Sequence, residues 1–209
     1  MRSAVWFAAL LLAACSNQPR TPVEEGAHPV VSAPETPPRT ALDDAHAACA
    51  ADPRSATKQR AYFDAFPSDY ASLRRTFGYE DISADSVAFG EHYEQGNDMI
   101  GAFFNLDSVP AQEIAAKAIG IAHDGVWQAD GVGYFQHYLM KHLEGTPMTY
   151  LGILKSSARA DQAGFWKFFT DGPEAFPQED KARLRGFLDK EPAQLEVLDS
   201  VLALPHIGH

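Results

Sequence analysis

Helix-capping residues followed by proline divide the chain from Thr40 onward into short segments. Asp52-Pro53 and Thr146-Pro147 each place a side-chain acceptor before a proline, which the first turn of a helix tolerates. Alternation of apolar and polar residues, typical of strands, is almost absent. The pattern predicts a single all-α domain over residues 41–209 with about seven to nine helices. The predicted segments cover about 53–66, 68–77, 85–105, 110–122, 126–143, 147 onward, 159–170, 179–190 and 192–204.

The aromatic residues indicate where the core of this domain lies. Of the 23 aromatic residues, 21 fall between Tyr62 and Phe187, so we expect the core there and flanking helices at 40–60 and 190–209. The central helix should be 126–143, because its apolar residues recur three and four apart. That face comprises Trp127, Gly131, Tyr134, Phe135, Tyr138 and His142. Gly131 and Gly133 are poor helix formers, which indicates close approach of a neighbouring helix. Trp127, Phe135 and Phe168 are expected to be buried.

The first fifteen residues have the pattern of an export signal. Arg2 precedes an apolar run from Ala4 to Leu12, which is too short to span a bilayer. Leu12-Ala13-Ala14-Cys15 resembles the lipobox of bacterial lipoproteins. That resemblance implies a signal peptide at 1–14, cleavage before Cys15 and lipidation of its sulfur. Ser16 then favours the outer membrane over the inner one. The alternative is an ordinary signal peptide with an incidental cysteine.

Residues 15–40 have the composition of a linker. Six prolines and no aromatic residue occur between Ser16 and Thr40, so this segment has little to bury. We expect a disordered, proline-rich tether that reaches roughly 75 Å when fully extended. It would let the domain meet partners away from the membrane.

The distribution of charge narrows the choice of partner. The chain carries a formal charge of −11, which argues against nucleic acid. Between Thr76 and Met140 there are ten acidic residues, and Lys117 is the only lysine or arginine. This acidic lobe would steer basic partners towards it. The alternative is a solvated surface without a partner. The predicted binding residues are Glu80, Asp81, Glu91, Glu94 and Asp98, with Tyr79 and Tyr93 as aromatic anchors.

For each candidate catalytic or metal-binding group, a structural role explains the same residues. His123-Asp124 beside Asp130 is the best candidate metal site, but helix capping by Asp124 and a hydrogen-bonded His123 explain it better. Glu91-His92 with Glu94 is interpreted as a solvated helix face. His46 and Cys49 are three residues apart, yet their segment is peripheral, so Cys49 is interpreted as a buried free thiol. We therefore predict no catalytic residue, no metal and no cofactor.

Three segments together resemble a known group of proteins. They are AYFDAFPSDYASLRRTFGYED at 61–81, GVWQADGVGYFQHY at 125–138 and FWKFFTDGP at 165–173. The set is similar to bacterial lipoproteins and periplasmic proteins that serve as immunity proteins against effectors of type IV and type VI secretion systems. Its motifs are packing and turn residues, so no functional residues carry over. The resemblance implies a helical, non-enzymatic, lipid-anchored inhibitor.

These observations lead to one main hypothesis and two alternatives. The main hypothesis is an outer-membrane lipoprotein that faces the periplasm and neutralises a toxic secreted effector, such as a peptidoglycan hydrolase. The first alternative is an envelope hydrolase with a carboxylate pair or a metal near His123. The second is a structural envelope lipoprotein.

Overall fold

The computed structural model describes residues 39–83, 86–173 and 176–205. The predicted signal peptide, the lipidation site Cys15 and the linker as far as Pro38 lie outside the described residues. From Arg39 to Pro205 the described chain belongs to one compact unit. Within it, no helix has both the length and the apolar character needed to cross a membrane.

The described residues are mostly α-helical, as predicted, with one short hairpin of two strands. They form ten helices, one more than the upper expected number of nine, because a helix at Ala41–Ala51 precedes the first predicted segment. In chain order the elements are α1 (Ala41–Ala51), α2 (Ala56–Ala65), α3 (Tyr70–Phe77), β1 (Tyr79–Ser83), β2 (Ser86–Phe89), α4 (Gly96–Phe104), α5 (Ala111–Ala122), α6 (Gly131–Gly145), α7 (Pro147–Ser156), α8 (Arg159–Thr170), α9 (Gln178–Leu188) and α10 (Pro192–Leu202).

Side-chain caps open the first three helices. Thr40 and Asp43 form a capping box at α1, in which Asp43 N donates to Thr40 Oγ1 over 3.1 Å. The prediction that Asp52-Pro53 opens a helix is wrong, because Asp52 ends α1 and Ser55 caps α2. Asp69 caps α3, accepting from Ser72 N at 2.8 Å. Ser68, the predicted cap, precedes it by one residue.

The largest departure from the predicted fold lies between residues 79 and 95. A helix was expected from 85 to 105, but β1 and β2 form an antiparallel hairpin, residues 91–95 form turns and α4 begins only at Gly96. Val87 and Phe89 favour extended backbone. Gly90 closes against α3, since a Cβ there would lie 2.6 Å from the Thr76 carbonyl oxygen.

Helix α6 packs against α3 and α4, as expected of a central helix, but it starts at Gly131 instead of 126. Gly131 permits the expected close approach, since a Cβ there would lie 2.2 Å from the carbonyl oxygen of Phe77. The same expectation for Gly133 is wrong, because its nearest neighbour would be Gln128 O at 3.6 Å. The buried stripe also differs from the predicted face: it comprises Gly131, Val132, Phe135, Leu139 and Leu143.

The core is rich in stacked aromatic rings. Phe66 and Phe103 stack at a centroid distance of 4.1 Å, and Phe135 lies 6.2 Å from Phe168. Phe135 and Phe168 are fully buried as predicted, whereas Trp127 is only half-buried because it precedes α6. The flanking helices also contribute core residues: Leu42 and Cys49 from α1, and Val197, Leu198 and Val201 from α10.

Candidate protein-binding surface

The hairpin of β1 and β2 exposes a cluster of apolar side chains. Ile82 is 68% exposed, Phe89 62% and Val87 43%. Tyr79 pairs with Phe89 and Asp81 pairs with Val87, so these four residues share one face of the ribbon. Ile82 lies at the irregularity of β1 between Asp81 and Ser83, out of step with this face. We call Ile82, Val87 and Phe89 together the hairpin patch. Such clusters on a folded protein mark sites of interaction with other molecules.

Three exposed carboxylates border the hairpin patch. Asp81 lies across from Val87 on the neighbouring strand, and Glu91 and Glu94 lie in the turns that follow β2. The turn residue Tyr93 places its ring 4.5 Å from that of Phe89, which brings this turn against the hairpin. None of the three carboxylates forms an ion pair with any residue that the structure describes. They remain available to a cationic partner.

The other two predicted acids have neighbours within the domain. Glu80 is ion-paired with Arg74 of α3, so its charge is partly balanced. Asp98 lies in the first turn of α4, and its Oδ2 is 3.6 Å from His46 Nε2 of α1. The hairpin patch is therefore bordered by three of the five predicted acids.

Tyr79 and Tyr93, the predicted aromatic anchors, make contacts within the domain. Gln128 binds the main chain of Tyr79, and both Tyr79 and Tyr93 are half-buried. The Tyr93 hydroxyl donates to Asp130 Oδ2 over 2.5 Å, and this hydrogen bond raises the pKa of Tyr93 to about 12. The most exposed apolar side chains of the hairpin are those of Ile82 and Phe89. Sequence reasoning missed both, although apolar residues at 87 and 89 between glycines at 78 and 90 are a strand signal.

Lys117, the one lysine within the acidic lobe, is bound to the main chain at the end of α2. Its Nζ donates to the main-chain carbonyls of Phe63 and Phe66, the latter at 2.8 Å, and it lies over the Phe63 ring. Burial lowers the pKa of its ammonium group. Lys117 therefore ties α5 to the end of α2 and is directed away from solvent.

A groove separates the hairpin from α3. Its volume is about 510 Å³, and its walls include Tyr70, Arg74 and Phe89. The Arg74–Glu80 ion pair spans the space between α3 and β1. Because of this groove, the side of the hairpin that faces α3 is accessible to solvent, as its outer side is.

The candidate metal residues are not assembled. His123 Nδ1 lies 2.8 Å from the Gly120 carbonyl oxygen and Nε2 lies 2.8 Å from Asp124 Oδ2, so both ring nitrogens are engaged. Asp130 accepts the Tyr93 hydrogen bond instead of joining them. Across the described ranges, no group of three or more histidine, cysteine or acidic residues is arranged to hold a metal ion.

The second acidic constellation also differs from its interpretation. Glu91 and Glu94 are exposed, but His92 is buried and does not lie on a solvated helix face. His92 Nε2 lies 3.2 Å from Thr40 Oγ1, and Nδ1 lies 3.5 Å from Asp43 Oδ1. His92 therefore joins the turn after the hairpin to the start of α1, which sequence spacing cannot indicate.

Cys49 is a buried free thiol, as interpreted. Burial raises its pKa, which favours the unreactive protonated form. The ring of His46 lies against Tyr62 at 5.2 Å, and its Nε2 faces Asp98. These contacts favour packing over nucleophilic chemistry.

The described surface therefore includes a hairpin with exposed apolar side chains and exposed carboxylates beside them. Comparison with protein-family models, with curated proteins and with solved structures finds no match for this chain.

Proposed function

We propose that this protein binds and neutralises a toxic secreted effector, and that the hairpin patch with its carboxylate border is the binding surface. A peptidoglycan hydrolase or another envelope hydrolase with a basic surface is the partner that we expect. The observation that carries the proposal is the exposure of Ile82 and Phe89 beside the exposed carboxylates of Asp81, Glu91 and Glu94.

The two parts of this surface would contribute differently to binding. Covering a large apolar side chain yields about 1.5–3 kcal/mol, so Ile82 and Phe89 would supply most of the affinity. Carboxylates at the rim act mainly on the association rate and its dependence on salt. A basic partner would thus be captured electrostatically and held by apolar contacts.

We also propose that lipidated Cys15 anchors the protein to the periplasmic face of the outer membrane. The support is the Leu12-Ala13-Ala14-Cys15 sequence and the proline-rich segment that follows it. Two acyl chains provide stable attachment to a bilayer. We expect Cys15→Ala to move the protein from the membrane fraction to the soluble fraction; an unchanged distribution would refute the anchor.

Co-expression tests the inhibitory role. The product of each gene adjacent to this one is directed to the periplasm with and without this protein, and cell lysis and viability are measured. We expect one product to be toxic alone and harmless in the presence of the full chain. If no adjacent product is both toxic and bound by this protein, the proposed function is refuted.

Matched variants locate the surface. Ile82→Ser with Phe89→Ser should abolish protection, whereas Met148→Ser removes an equally exposed apolar side chain on α7 and should not. Charge reversal of Glu91 and Glu94 should slow association. Reversal of Glu179 and Asp189, two exposed acids of the C-terminal part, should leave the rate unchanged. If the hairpin variants and their controls have equal effects, the hairpin is not the binding surface.

A further inference from the structure

We propose that the hairpin binds its partner by strand addition: an extended, basic segment of the effector pairs with the outer edge of β2. This rests on the proposed function and specifies how its surface works. The segment would carry lysine or arginine alternating with apolar residues. It would form a three-stranded sheet with β1 and β2.

The hydrogen-bond register shows which peptide groups face outward. Gly90 N donates to the Gly78 carbonyl over 2.8 Å, which makes Tyr79 and Phe89 a non-hydrogen-bonded pair. Asp81 and Val87, two residues further, form the next such pair. The N–H and C=O groups of Val87 and Phe89 therefore point away from β1, towards the outer edge of β2.

The two edges of the hairpin differ. On the outer edge of β1, Gln128 covers Tyr79 by accepting from its N–H and donating to its carbonyl. On the outer edge of β2, no described residue forms a hydrogen bond with the main chain of Val87 or Phe89. An uncovered edge is a template for another strand. A ribbon of only two strands is also stabilised when a third is added.

The acidic residues near the outer edge of β2 indicate which kind of strand would pair there. Asp81 shares a face with Val87 and Phe89, and Glu91 and Glu94 follow β2 directly. A basic strand on this edge would place its cations beside these carboxylates. A second copy of the chain would instead bring like charges together, which disfavours pairing. The edge therefore fits a basic strand of a different protein.

A peptide tests the edge without the effector. The probe is a synthetic peptide of about six residues, the usual length of a strand, with alternating lysine and valine. Amide hydrogen exchange of the full chain is followed by NMR with and without it. We expect exchange at Val87 and Phe89 to slow at least about tenfold, as hydrogen-bonded amides do. Exchange at Asp81 should not change.

Two control peptides sharpen the result. N-methylation of every second residue removes the donors that would face β2, and it should abolish the slowing. Replacement of lysine by glutamate keeps the alternating pattern of the peptide but removes its cations. This replacement should weaken the slowing of exchange. Unchanged exchange at Val87 and Phe89 with the lysine peptide, or slowing at Asp81 instead, would overturn strand addition.

Proline variants test the same edge with the effector identified by co-expression. Val87→Pro removes an outward N–H, and edge strands tolerate proline. We expect it to weaken binding by about fivefold to tenfold more than Val87→Ala, the equivalent of one lost hydrogen bond. Asp81→Pro should weaken binding no more than Asp81→Ala. If Val87→Pro and Val87→Ala bind equally, strand addition fails while the inhibitory role stands.

Discussion

The side chain of Gln128 binds both main-chain polar groups of Tyr79. Gln128 Oε1 accepts from the Tyr79 N–H over 3.4 Å, and Gln128 Nε2 donates to the Tyr79 carbonyl over 2.7 Å. A carboxamide in this position takes the place of a peptide group on a third strand. Gly78 makes room for it, because a Cβ there would lie 2.6 Å from Gln128 Oε1. The base of the hairpin is therefore held to the segment before α6.

We expect Gln128→Glu to loosen the hairpin. The substitution removes the Nε2 donor and places a carboxylate against the Tyr79 carbonyl, at a cost of about 1–3 kcal/mol. Hydrogen exchange at Glu80 and Ala88, the hydrogen-bonded pair of the ribbon, should become faster. Gln95→Glu adds the same charge at an exposed position and serves as the control. Equal exchange in the two variants would show that Gln128 does not hold the hairpin.

Two glycines of α6 should respond oppositely to alanine. At Gly131 a Cβ would lie 2.2 Å from the Phe77 carbonyl oxygen, so Gly131→Ala should destabilise the fold by about 1–3 kcal/mol. At Gly133 the nearest atom would be 3.6 Å away. Gly133→Ala should therefore stabilise by up to about 1 kcal/mol through helix propensity. Urea denaturation measures both, and a loss of stability in both variants would contradict the packing described for Gly133.

The contact between Tyr93 and Asp130 should be visible in a tyrosine titration. The hydrogen bond to the carboxylate raises the pKa of Tyr93 to about 12. Asp130 has a φ of 61° and a ψ of −113°, a conformation that is strained for any residue with a side chain. Asp130→Asn removes the charge and keeps the size of the side chain. We expect the Tyr93 pKa to fall towards about 10, its unperturbed value. Phenolate absorbance, with Tyr93→Phe to assign the signal, measures it; an unchanged midpoint would contradict the contact.

Stability should decrease as pH falls below about 6.5 because of His142. Burial lowers the pKa of His142, whose Nδ1 lies 2.8 Å from the Tyr150 hydroxyl. The unfolded chain therefore binds a proton on His142 more readily than the folded chain does. The free energy of unfolding should fall by up to about 1.4 kcal/mol per pH unit as pH drops through this range.

Two variants separate this histidine from the carboxylates. His142→Gln should flatten the dependence between about pH 6.5 and 5, whereas His137→Gln, exposed on the same helix, should not. Carboxylates with lowered pKa values lose their stabilising charge only at more acidic pH. These are Asp43, Asp69, Asp107 and Glu113. A pH profile that His142→Gln leaves unaltered would contradict the burial of this ring.

Several sequence predictions succeed because they rest on local chemistry. Pro147 and Pro192 begin helices, since the first turn needs no N–H from them. Phe135 and Phe168 are buried because their apolar area has no other favourable place. Helical content and the identity of much of the core therefore follow from the order of residues alone.

The proposed binding surface depends on contacts between distant residues. Strands β1 and β2 are held in place where Gly90 closes against Thr76 and where Gln128 completes the edge at Tyr79. The secondary-structure propensities of neighbouring residues carry no information about these distant partners. The sequence pattern therefore favoured a helix after residue 85. The acidic residues could be identified from the sequence, but whether each of them has an ionic neighbour could not.

The sequence by itself predicted an export signal, and it determined a proline-rich segment, a helical domain and a negative charge concentrated between residues 76 and 140. Composition and spacing along the chain suffice for each of these. Tertiary structure alone decided that Ile82 and Phe89 are exposed, that Arg74 pairs with Glu80 and that His92 is buried against α1. The physical reason is that exposure and pairing are set by neighbours far along the chain, whose positions exist only after packing.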